Sequence, residues 1–163
     1  MSAANAWTIS AVREALEAKK ISARELTAEF YSRIEKKNPE LNAFLALSPE
    51  RAYAQADKID AAIAAGDALP ALAGVPVAIK DDADVAGEVT AWGTDAYGPP
   101  KIVDSDVAAR LRAAGAIVIG KTHVPEMTLW PWTASTGRTP PPTNARSRAC
   151  PWRSRTMRTL PAR

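Results

Sequence analysis

Apolar positions in the first 120 residues recur at helical spacing in four stretches and form short continuous blocks in three. Val12, Ala15 and Leu16 share one face of a helix predicted over 10–20, with Ser10 as its N-cap. Ser22-Ala-Arg-Glu25 has the form of a capping box, in which the serine accepts from the N3 backbone N–H and Glu25 reaches back. Leu26, Phe30 and Ile34 then follow four apart as a core-facing stripe, and Asn38-Pro39 is predicted to end that helix. Ala43–Leu47 is a short apolar block and reads as a strand. Ser48-Pro49 supplies an N-cap with proline at N1, and an alanine-rich helix runs from there to Gly66.

A turn-rich connector, Leu69 to Gly74, leads into a second strand, Val75–Ile79. Pro76 near its start suits a strand beginning or a sheet edge. Residues 84–103 read as loop. Ser105 caps a fourth helix, predicted to turn Val107, Ala108 and Leu111 inward and to close at Gly115. Ala116–Ile119 is a buried-type strand, which Gly120-Lys121-Thr122 is expected to leave as an exit turn. Helices alternating with short apolar strands predict a layered α/β fold.

From Gly137 onward neither periodicity persists. The stretch is rich in Arg, Pro, Ser and Thr, and a segment with so few apolar residues is expected to stay disordered. Charge marks the same boundary. Residues 1–136 hold 14 Lys+Arg and 18 Asp+Glu, whereas 137–163 hold 7 Arg and no acid, so the overall +3 is the sum of −4 and +7. One cysteine, Cys150, excludes an intrachain disulfide, and no Cys/His cluster has metal-site spacing. The N-terminus lacks the basic and apolar regions of a signal peptide, and no apolar stretch is long enough to span a bilayer; the expected location is cytoplasmic.

Gly115-Ala-Ile-Val-Ile-Gly120-Lys121-Thr122 matches the P-loop pattern letter for letter. The pattern needs a strand before it, a helix after it and inner residues that wind around phosphate. Here the helix comes first, the inner residues favour an extended strand, and Pro125 follows soon after. A nucleotide site is therefore rejected.

Four stretches taken in order carry a family resemblance: Leu41-Asn-Ala-Phe44; Leu72-Ala-Gly-Val-Pro-Val-Ala-Ile-Lys-Asp81; Leu111-Arg-Ala-Ala-Gly115; and Ala116-Ile-Val-Ile-Gly-Lys-Thr-His-Val-Pro-Glu126. Together they resemble the N-terminal part of amidase-signature enzymes, over about residues 8–136. The resemblance implies part of an α/β/α sandwich with a mixed sheet, preceded here by N-terminal helices and followed by a disordered basic tail. It also implies hydrolysis of carboxylic amides by a serine–serine–lysine set, in which Lys80 matches the lysine. That amine, neutral at working pH through burial, would take the proton of a bridging serine held on a cis peptide. On an extended chain Asp81 is expected to point away from Lys80. The nucleophile belongs in a Gly-Gly-Ser-Ser-Gly-Gly type of segment whose backbone N–H groups form the oxyanion hole. The 163 residues contain none: Ser147 and Ser154 sit between arginines, and Cys150 has no supporting partner.

The only histidine, His123, reads as a turn residue, with no partner for a triad. Trp92, Trp130 and Trp132 fit a pocket lining, the core, or surface exposed by truncation equally. Leu129-Trp-Pro-Trp-Thr-Ala-Ser-Thr136 lacks the small polar character of the A chain of the tRNA-dependent amidotransferase, which favours a plain amidase.

The leading expectation is thus an amidase-type hydrolase portion, inactive alone, acting in its parent family on a small-molecule amide without a cofactor. The alternatives are a fragment of the tRNA-dependent amidotransferase A chain, or a nucleic-acid-binding module in which the arginine-rich tail and Trp152 contact phosphates and a base. Nucleic acid is the weaker reading because no folded nucleic-acid module accompanies the tail. No membrane partner is expected, and uncovered sheet edges are expected to promote non-specific association. The abrupt change of composition predicts that residues from about 137 are translated out of frame. The other two frames of the DNA after the Thr136 codon are expected to encode a Gly/Ser-rich stretch within a few dozen codons; its absence from both sinks the idea.

Overall fold

The computed structural model describes residues 7–94, 98–125 and 127. In chain order the elements are α1 (Ile9–Glu17), α2 (Ala23–Leu41), β1 (Phe44–Leu47), α3 (Pro49–Ala65), β2 (Pro76–Lys80), α4 (Asp106–Ala113) and β3 (Ile117–Thr122). The three strands form one mixed sheet in the order β1-β3-β2, with β1 antiparallel and β2 parallel to the central β3. The β2–α4–β3 unit is the helical crossover that parallel neighbours require.

Each face of the sheet carries its own core. On one side Val12, Leu16, Leu26, Ile34, Ala52 and Ala56 from α1–α3 pack on Val75, Ile117 and Ile119. On the other, Ala108 of α4 and Val85 pack on Ile79 and Val118. This is the expected α/β/α layering with a mixed sheet. Within the described residues, β2 is an edge strand, which suits Pro76 at its first position.

Local chemistry explains most boundaries. The Ser22–Glu25 capping box forms in full, and burial of Val12, Ala15 and Leu16 matches the predicted face of α1. Four local expectations need correction. The N-cap of α1 is Thr8, whose side chain accepts from Ala11 N at 3.1 Å; Ser10 already lies inside the helix. Asn38-Pro39 does not end α2, which runs on to Leu41. Proline here removes a single donor close to the helix end. Asn38 Oδ1 meanwhile accepts from Phe44 N (2.8 Å), and Asn42 takes the left-handed cap with φ 49°. Ser48 caps no N–H with its side chain; its hydroxyl donates to Glu88 Oε1 at 2.6 Å instead. Val107 is 58% exposed, because the inner face of α4 is set by Ala108 and Leu111.

The predicted exit turn also needs correction: β3 continues through Gly120, Lys121 and Thr122. One residue of β3 is extra relative to β2, because Val77 pairs with Val118 while Ala78 pairs with Gly120. The extra residue, Ile119, presents its carbonyl to Tyr31 OH (2.9 Å) and to Ser48 N (3.1 Å), so α2 and the β1–α3 junction both hold the bulge. Gln55 Oε1 of α3 accepts from Val118 N at 3.0 Å, taking the place that β1 vacates. Gly120 is required by close approach, since a Cβ there would run into the carbonyl of Ala46. Gly120→Ala is expected to cost about 1–3 kcal/mol as β1 is pushed off β3; a urea midpoint equal to that of the parent chain refutes the packing account.

Candidate active site

The bulge decides which face receives Lys121. Simple alternation would send residue 121 to the side of Ile117 and Ile119. The extra residue shifts the phase, and Lys121 comes to lie beside Ile79, on the α4 side. There its side chain is 1% exposed and its Nζ sits 2.9 Å from Asp81 Oδ1. The same ammonium donates to Thr90 Oγ1 (3.0 Å) and to the carbonyl of Val89 (3.4 Å). A buried ammonium with three oxygen partners is satisfied, as a charge taken out of water must be.

Asp81 is hydrogen-bonded at its backbone and at Oδ2, while Oδ1 meets the Lys121 ammonium as an ion pair without a hydrogen bond of its own. Its N–H donates to Thr122 O (3.1 Å), its carbonyl accepts from Trp92 N (3.1 Å), and Oδ2 accepts from Ala91 N (3.1 Å). The residue is 0% exposed. It therefore fastens three pieces together: the end of β2, the 89–92 loop and the end of β3. Trp92 in turn accepts from Met127 N through its carbonyl (2.7 Å), extending the fastening to the segment after β3.

Lys80 lies one residue before this anchor, paired in register with Thr122. Because Asp81 is fixed to the α4 side, strand alternation sends Lys80 to the other side, as expected. The Lys80 side chain is 52% exposed, and its ammonium pairs with Asp82 Oδ2 at 3.1 Å. The burial expected of a neutral amine is not supplied by the described residues. The acidic doublet is thus split: Asp81 is matched by Lys121 in the interior, and Asp82 by Lys80 at the surface.

His123 follows β3 directly and lies in no turn, contrary to expectation; its backbone N–H donates to Ala43 O at 3.0 Å, prolonging the contact between β3 and β1. Trp92 is 41% exposed and has φ 54°. Trp130, Trp132, Ser147, Cys150, Trp152, Ser154 and the basic tail lie outside the described residues. No group of three His, Cys, Asp or Glu fit to hold a metal occurs among the described residues. Nor is any helix there long and apolar enough to cross a membrane. A cavity of about 470 Å³ is lined by Leu16, Lys20, Ser22, Asp60 and Ile63, and holds no residue of the β2 end. Both its carboxylates are already used: Asp60 accepts from Ala23 N and Arg24 N at 2.7 and 3.1 Å, and Glu25 Oε2 accepts from Ser22 N at 2.9 Å, all at the start of α2.

Sequence reasoning missed the Asp81–Lys121 pair. The available signal was a lysine continuing a buried apolar strand, with an acid just past the end of the neighbouring strand. Recognising it needed the bulge, which alternation alone does not reveal.

The Amidase family model matches residues 25–150 of the chain, running past Thr136 into the arginine-rich segment. AmiB2 of Mycobacterium tuberculosis, an amidase by name, is 45% identical over 115 residues, which are 71% of this chain and 25% of that protein. The A chain of the glutamyl-tRNA(Gln) amidotransferase of Koribacter versatilis is 42% identical over 128 residues, 77% of this chain and 26% of that one. The solved peptide amidase of Stenotrophomonas maltophilia superposes with a TM-score of 0.69 at 28% identity, covering 75% of this chain and 26% of its own. The chain thus spans about a quarter of the length of the relatives it matches.

Breaking the buried pair from one side strands a charge in the core. Lys121→Met is expected to cost about 3–5 kcal/mol, and Asp81→Asn with Lys121→Met to recover most of it. Equal losses in single and double variants, measured by denaturant unfolding, would show that the two charges do not act as a pair.

Proposed function

Because this chain belongs to the Amidase family, we propose that it carries the amine-bearing part of an amide-hydrolysing site, with Lys80 as the base. The observation that supports this most is the placement of Lys80 at the C-terminal end of β2. It is next to the buried Asp81, which joins β2, β3 and the 89–92 loop, yet its own ammonium reaches outward. A base must be held by its backbone while its side chain meets groups from elsewhere. In the proposed reaction Lys80 accepts a proton from a bridging serine. That serine accepts one from the nucleophilic serine, which attacks the amide carbonyl; the proton returns by the same route to the amine as the C–N bond breaks, and water then hydrolyses the acyl-serine to the carboxylic acid and free serine. Further polypeptide covering Lys80 would supply the burial the chemistry needs.

Neither serine is present in recognisable form in these 163 residues, so we read this polypeptide as inactive by itself. The substrate class is a small carboxylic amide. A second reading, the A chain of a tRNA-dependent amidotransferase, is favoured by the 42% identity to that relative and would require partner chains and glutamine. The Trp-Pro-Trp stretch at 130–132 weighs toward the plain amidase.

A chimera tests the proposal. Residues 8–127 of this chain, replacing the matching quarter of the Stenotrophomonas peptide amidase, are expected to support amide hydrolysis. Lys80→Ala in that chimera is expected to lower kcat by about 10²–10⁴-fold with the fold intact. A folded chimera whose rate does not depend on Lys80 removes the base assignment. Serine-directed covalent labelling of the unmodified 163-residue chain that depends on Lys80 would refute its inactivity.

A further inference from the structure

We propose that Lys121 is a positioning residue for Lys80, acting through Asp81; the inference rests on the reading of Lys80 as the base. Lys121 Nζ joins Asp81 Oδ1 (2.9 Å), Thr90 Oγ1 (3.0 Å) and Val89 O (3.4 Å). It thereby pins the 89–92 loop against the end of β2. That loop returns two bonds to Asp81, from Ala91 N to Oδ2 and from Trp92 N to the carbonyl, both at 3.1 Å. The result is a closed ring of contacts around one residue. Its direct consequence for Lys80 is geometric. With Asp81 locked to the α4 side, the Cα–Cβ bond of Lys80 is committed to the opposite side, where Asp82 meets the ammonium at 3.1 Å. Asp82 follows the fastened Asp81 directly, so the same ring sets where that carboxylate stands.

A strut that served stability alone would not need a lysine. A buried ion pair is commonly matched or exceeded by apolar side chains of similar volume. What an apolar pair cannot supply is the reach to Thr90 and Val89, which carries the hold on β2 across to the loop. Lys121 is therefore assigned to the orientation of the site, not to proton transfer: its side chain is 1% exposed and its Nζ already has three oxygen partners.

The test uses the full 163-residue chain and reads Lys80 directly, without amide turnover. Amines are reductively methylated with ¹³C-formaldehyde, and the Lys80 resonance is identified by its absence in Lys80→Arg. Acylation by an N-hydroxysuccinimide ester is followed at each lysine by peptide mass spectrometry. In Asp81→Asn with Lys121→Met, the buried charges are gone but the introduced carboxamide can still accept from Ala91 N. The Lys80 resonance is expected to shift and Lys80 acylation to rise about threefold, the scale of losing one partly exposed ion pair. Lys36 and Lys58 are expected to react as before. Thr90→Val removes one partner of Nζ and keeps every charge. It is expected to move the same two readouts in the same direction, and it decides the matter if the double variant does not fold. An unchanged Lys80 resonance and rate in the folded variants overturns the proposal. Failure of the peptide-amidase chimera, with these shifts present, would instead count against Lys80 as a base.

Discussion

Placing a lysine and an aspartate together inside a three-stranded sheet is unfavourable in itself, and most of this fold is arranged so that it succeeds. Each charge loses its water on burial, and the mutual attraction compensates only if the remaining donors and acceptors are also met. Around Asp81 and Lys121 they are met by the loop after β2: Ala91 N serves the carboxylate, and Val89 O and Thr90 Oγ1 serve the ammonium. The pair is the point where β2, β3 and that loop are joined. Val85, at the beginning of the loop, completes the α4-side core with Ile79, Ala108 and Val118.

The pair in turn depends on the irregularity in β3. Without the extra residue at Ile119, alternation would turn Lys121 away from Asp81 and toward the apolar core on the α1–α3 side. The irregularity would be costly if its carbonyl were orphaned. Tyr31 OH and Ser48 N both donate to it, and Gln55 accepts the N–H that loses its strand partner. Residues from α2, the β1–α3 junction and α3 therefore serve a bulge whose consequence appears on the far face of the sheet. Burial keeps the Tyr31 phenol protonated well above its usual range, with Tyr53 and Glu88 adding to the push, so the donor persists at any ordinary pH.

What can be read from residue order is what depends on near neighbours. The capping box at Ser22–Glu25, proline at N1 of α3, the left-handed Gly66 and the apolar faces of α1 and α2 are all settled within a few positions. The α/β layering follows from their alternation, and the run Gly-Val-Pro-Val-Ala-Ile-Lys-Asp carries part of the family resemblance that makes Lys80 a candidate. The misses involve partners or pairings that residue order does not display. Ser48 has the local signature of a helix cap, but Glu88, forty positions later, takes its hydroxyl. Asn38-Pro39 has the signature of a helix stop, but Asn38 bonds to Phe44 and the helix continues to Leu41. Lys121 reads as part of an exit turn because nothing local marks the bulge, which arises from the fit of β3 between two strands of different direction.

The two lysines near the end of the sheet show how one side chain type takes opposite parts. Lys121 is surrounded by oxygens contributed by elements that are already ordered, so its charge is a structural given. Lys80 has an acidic neighbour at 3.1 Å and half its side chain open among the described residues. A general base requires the second condition at its tip and the first at its root. The tip must exchange a proton with a group that arrives, while the root must not move when it does. In the reading of Lys80 as the base, Asp81 would supply that root, since its N–H, its carbonyl and Oδ2 are hydrogen-bonded and Oδ1 is paired with Lys121. In the same reading, that fixed root is what would let the exposed Lys80 ammonium meet a group from elsewhere.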